Sequence, residues 1–145
     1  MSDAWSRADQ KLSNIVIGKT YTLSFDALAT TPDGATVEIG TSEGDDDVLV
    51  ITTDDFPNAK SYSDTFIAPS EDLWIGLWVN QNPPVTALFD NISVAEGEVV
   101  EHVTNGTFDT DIDGWIDNSS GGNPGTWIGW YGPTTCLAVA TGAQV

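Results

Sequence analysis

Apolar residues in this chain recur at every second position in short runs, and an every-third-or-fourth rhythm is nearly absent. The run 19–27 alternates, placing Tyr21, Leu23 and Phe25 on one face of a strand. The run 73–79 does the same twice over. Leu73, Ile75, Leu77 and Val79 share one face, and Trp74, Gly76 and Trp78 the other. Further strand-like runs cover 36–40, 48–52, 61–68, 87–94, 114–117, 127–131 and 136–140. Turn chemistry separates them: Thr31-Pro32-Asp33-Gly34, the acidic loop 43–47, the loop 54–59 and Gln81-Asn82-Pro83-Pro84. Only residues 1–13 are expected to form a short helical turn. Many short strands with frequent turns predict an all-β sandwich.

Charge narrows the function classes. Four basic residues face 22 acidic ones, a formal net charge of −18, so phosphate backbones and anionic membrane surfaces are repelled. Most of these carboxylates are expected to be solvated surface groups. At 145 residues the chain has room for one sandwich, not two. The lone cysteine, Cys136, excludes an intrachain disulfide and sits in a strand-like run where a buried, inert thiol is expected. His102 is the only histidine, and no phosphate loop, metal-hydrolase motif or Ser/His/Asp arrangement appears, so the chain is not expected to be an enzyme. The segment 1–7 lacks an apolar stretch of signal-peptide type, which leads to an expectation of cytoplasmic synthesis.

Three motifs stand in an unexpected order. Gly18-Lys19-Thr20-Tyr21-Thr22-Leu23-Ser24-Phe25-Asp26-Ala27 comes first and Phe89-Asp90-Asn91-Ile92-Ser93-Val94 second. Asn105-Gly106-Thr107-Phe108-Asp109, with Gly114-Trp115, comes last. Together they resemble the galactose-binding-like jelly rolls of carbohydrate-binding module families 4, 9 and 22, in which the Asn-Gly-x-Phe segment opens the domain and the Phe-Asp-Asn-Ile-x-Val segment closes it. The resemblance implies a jelly-roll β-sandwich that is circularly permuted or completed by segment exchange between chains. Residues 1–94 would form the main body, 95–104 a linker, and 105–145 a closing segment for the same sandwich or a neighbour's. Both closures are open at this point. The resemblance also implies a structural Ca²⁺ held by Asp90 and Asp109 with carbonyls near Asn105, set against the plainer reading that these carboxylates make turn hydrogen bonds.

The aromatic residues are the remaining candidates. Trp74, Trp78, Tyr62, Trp127, Trp130 and Tyr131 suit either a carbohydrate platform or a protein interface, whereas Trp115 reads as core. The leading expectation is a non-catalytic structural and adhesive protein, a phage virion component of capsid-decoration or tail-fibre type. It would be made in the host cytoplasm and partnered by copies of itself or by other virion proteins. The alternative is a carbohydrate-binding module targeting a polysaccharide, possibly cut from a larger secreted enzyme and therefore extracellular.

Overall fold

The computed structural model describes residues 6–30, 34–53, 58–79, 86–96, 102–108 and 111–117 in full, and the backbone of 126–131 and 136–141. These residues carry β1 (Ser6–Lys11), β2 (Thr20–Ala29), β3 (Ala35–Gly40), β4 (Leu49–Thr52), β5 (Lys60–Ile67), β6 (Trp74–Val79), β7 (Thr86–Ala95), β8 (Ile116–Asp117), β9 (Thr126–Tyr131) and β10 (Cys136–Thr141). They form two antiparallel sheets, ordered β4-β3-β6-β1-β8 and β5-β2-β7-β10-β9. No helix occurs among the described residues. The molecule is an all-β sandwich.

Alternation dictates the core. From the first sheet, Ala8, Val37, Ile39, Ile75, Leu77 and Val79 point inward; from the second, Tyr21, Leu23, Phe25, Phe89 and Val94 meet them. Strand β7 breaks strict alternation, because both Phe89 and Ile92 are buried although they lie three residues apart. A β-bulge accounts for this. Ser24 pairs with Ser93 but Asp26 pairs with Asp90, so β7 holds one extra residue, and Asn91 takes a left-handed backbone (φ 50°) to accommodate it. Asparagine tolerates that region better than most residues.

The first strand corrects the helical turn expected in residues 1–13, of which 1–5 lie outside the described residues. Ser6–Lys11 pairs along its full length with β6, from Ser6 opposite Val79 to Lys11 opposite Trp74. Its own signal is weak because Ala8 is the only apolar residue in it. Pairing on both sides, to β6 and to β8, overrides local preference. Burial of its inward Gln10 is tolerated because the carboxamide is satisfied. It donates to the carbonyls of Thr104 (2.8 Å) and Gly114 (3.2 Å) and accepts from the Thr104 N–H (2.7 Å).

Residues 102–108 and 111–117 are packed, not loose. The His102 N–H donates to the Val94 carbonyl and the Ile92 N–H to the Gly106 carbonyl, each at 2.9 Å. His102 and Val103, at the end of the expected linker, are buried, as are Phe108 and Trp115, whose rings lie 5.7 Å apart. Asn105 clasps this segment: its amide donates to the carbonyls of Asp111 (3.0 Å) and Asp113 (3.3 Å), while its own carbonyl accepts from the Trp115 indole N–H. The Asn-Gly-x-Phe and Gly-Trp motifs thus act locally as a hydrogen-bonded knot over the sandwich end. Beyond it, β10 pairs with β7, with Leu137 opposite Phe89, and β9 forms the outer edge of that sheet.

Candidate ligand-binding face

The outward side of the first sheet is where the sequence places chemistry that a sheet surface does not need. One cross-strand row runs Ile116 (β8), Asp9 (β1), Gly76 (β6), Glu38 (β3) and Val50 (β4). Trp74 and Trp78 stand on the same face of β6, on either side of Gly76, and both are half-buried. Four residues of extended chain put their Cα atoms about 13 Å apart.

Between the two indoles lies a closed ionic cluster. The Arg7 Nε donates to both Asp9 carboxylate oxygens (2.8 and 2.9 Å), and its Nη1 donates to Glu38 Oε2 at 2.7 Å. The Trp78 indole N–H donates to Glu38 Oε1. Asp9 is fully buried, with Glu38 only 4% and Arg7 only 8% exposed. Gly76 makes this possible. A Cβ there would meet Arg7 Nη2 at 2.1 Å and Asp9 Oδ1 at 2.6 Å, so the guanidinium lies across the strand at the one position without a side chain.

An acidic loop overhangs one side. The backbone of Asp45 folds onto the end of β3 so closely that a Cβ on Gly40 would meet the Asp45 carbonyl at 2.1 Å. Asp47 holds the loop's base, accepting from the Thr41 N–H (2.8 Å) and Thr41 Oγ1 (2.7 Å). These hydrogen bonds lower the Asp47 pKa. Arg7, Glu38, Gly44, Asp45, Asp46 and Trp78 together line an open cavity of about 360 Å³.

The charges in this cluster do not cancel. Burial alone would lower the Arg7 pKa, but hydrogen bonds and charge from Glu38 and Asp9 outweigh it, and the group is held above its ordinary value. Burial also pushes Glu38 upward, against the pull of Arg7 and Trp78, and the nearby charge of Asp46 adds to the rise. One guanidinium shared between two buried carboxylates cannot neutralise both.

Of the aromatic residues expected to share a site, the structure brings Trp74 and Trp78 to one face. Tyr62 lies apart from them on β5, at the edge of the other sheet, with its ring stacked on Phe25 at 5.1 Å. Trp127, Trp130 and Tyr131 lie on β9 in that same second sheet, and their side chains are outside the described residues. Sequence reasoning missed Arg7, Asp9 and Glu38. Their signal was a glycine between two outward tryptophans in a strand interior, which marks close approach by another group.

The expected calcium ligands can be followed in part. Asp109 lies outside the described residues. Asp90 accepts from the Asn91 N–H at 2.8 Å and stands opposite Asp26. The carbonyls of Thr104, Asn105 and Gly106 each accept a hydrogen bond from the protein, from Gln10, Trp115 and Ile92 respectively. No group of three or more metal-binding His, Cys, Asp or Glu side chains occurs among the described residues.

Comparison with known proteins returns no matching family model, curated protein or solved structure.

Proposed function

We propose that this chain is a non-catalytic carbohydrate-binding β-sandwich, with its glycan site on the outward face of β1, β3 and β6. The observation that carries this reading is the Trp74–Gly76–Trp78 face with the Arg7–Asp9–Glu38 cluster set between the indoles. Pyranose rings offer flat C–H surfaces that stack on indoles and hydroxyl groups that hydrogen-bond to fixed polar side chains. A platform with two indoles and a rigid polar floor supplies both. The exposed side chains of Ile116 and Val50 extend its apolar margin.

Binding is favoured over hydrolysis because both buried carboxylates are hydrogen-bonded to Arg7. The reading carries the adhesive part of the sequence expectation; no feature of the site bears on a virion setting. The same proposal takes the fold as a permuted jelly roll closed within one chain. Support comes from β10, late in the sequence, pairing with β7, which carries the closing motif.

Affinity electrophoresis against a panel of soluble polysaccharides, with Trp74→Ala and Trp78→Ala beside the native chain, tests it. Retardation by at least one glycan is expected, weakened about tenfold or more by either change while circular dichroism stays native. Loss of self-association in these variants, with no glycan retarding the native chain, would replace the glycan reading with an interface.

A further inference from the structure

The cavity beside Trp78 has a sign. Three carboxylates, those of Glu38, Asp45 and Asp46, line it with a single guanidinium, which also holds the buried Asp9. The nearest other cation on this face, Lys11, lies at the far end beside Trp74 and is paired with Asp72 at 2.7 Å. Arg7 is tied to the two buried carboxylates, so its charge is spent inside the floor. Asp45 and Asp46 line the cavity together with Glu38, and repulsion from the Asp46 charge adds to the cost of charging Glu38. The wall opposite is an indole, whose face attracts cations. A neutral ring would occupy this cavity and leave the repulsion in place; an ammonium group would relieve it. An anionic sugar, such as a uronate or sulfated ring, would add to it.

We infer that the cavity selects glycans bearing a cationic amine, with an unacetylated amino sugar seated between Trp78 and the loop 44–46. This rests on the glycan reading above and names the chemical class that site takes. The ammonium would approach Asp46 and Glu38 while the ring's C–H face packs on the Trp78 indole. Arg7 acts as the positioning residue that keeps Glu38 turned toward the cavity.

Isothermal titration with three β-1,4-linked trisaccharides tests this: one of glucosamine, one of its N-acetylated form and one of glucose, at a pH where the amine is protonated. The glucosamine trimer should bind about tenfold tighter than the N-acetylated one, as one exposed and one buried charge contact together allow. That advantage should shrink as salt rises. The double change Asp45→Asn and Asp46→Asn should erase it. Asp64→Asn with Glu71→Gln removes the same charge from exposed positions elsewhere and should leave it intact. Trp78→Ala should weaken all three trimers.

Equal or tighter binding of the neutral trimers would overturn the charge selection and leave the glycan reading standing. An advantage lost equally in the remote double variant would overturn it as well, since bulk charge would then be the cause. Failure of all three trimers and of the polysaccharide panel would overturn both.

Discussion

The two outer faces of this sandwich each carry a pair of aspartate or glutamate side chains on strands that flank or face one another, and the two pairs are held differently. On the first sheet, Asp9 and Glu38 lie on either side of Gly76, buried and bridged by Arg7. On the second, Asp26 and Asp90 stand directly opposite one another on β2 and β7. Both are only half-buried, and Asp26 accepts from the neutral Ser61 Oγ at 2.5 Å and Asn91 Nδ2 at 2.8 Å. A hollow of about 250 Å³ adjoins this second pair, with Leu28, Leu88 and Phe89 among the described residues of its lining. Acidic residues alone do not distinguish the faces. The first pair is set apart by its deeper burial, beside Gly76 and its two tryptophan neighbours.

The largest expected effect breaks the first face at its cation. Arg7→Met removes the cation that two buried carboxylates share, and chemical denaturation should register a loss of about 3–5 kcal/mol. A loss below 1 kcal/mol would mean that water reaches the cluster and that the face is not built as described.

Gly76→Ala comes next. The added methyl displaces the guanidinium from between the indoles, with an expected cost of about 1–3 kcal/mol. The same variant should also lose glycan binding, which a purely packing role for Gly76 would not require.

Glu38 tests the electrostatics through pH. Its pKa is raised by folding above the ordinary value of 4.5, so the native state holds its proton more tightly than the unfolded chain does. The sign follows: stability from this group is present at low pH and falls as pH rises from about 4.5 through the folded value. In thermal melts across pH 4 to 7, Glu38→Gln should flatten that decline relative to the native chain. An unchanged slope would place the decline in other carboxylates.

The smallest effect is expected on the second face. Asp26→Asn removes a like charge opposite Asp90 and keeps hydrogen-bonding capacity, so urea midpoints should give a change within about 0.5 kcal/mol. A large loss there would erase the contrast between the faces.

How much of this was legible in the sequence varies residue by residue. Tyr21, Leu23 and Phe25, and Ile75 and Leu77, were each set on one face by alternation, and all five are buried. The outward pair Trp74 and Trp78 followed from the same period. Strand β1 did not, because Ser6, Arg7, Asp9, Gln10 and Lys11 give no apolar rhythm and each inward polar group depends on a distant partner. The bulge at Asn91 was also hidden, since it appears only when β7 is set against β2.

The sequence by itself determined the all-β class, the two faces of β6 and the acidic surface, because side-chain period and net charge are local or additive properties. The tertiary structure alone decided that Arg7 reaches Glu38 across 31 positions of chain and that Gln10 reaches Thr104 across 94. It also decided that the loop at 44–46 overhangs Trp78. A buried ionic cluster is stable only when every member is brought together at once, and strand pairing sets that convergence where no local pattern can.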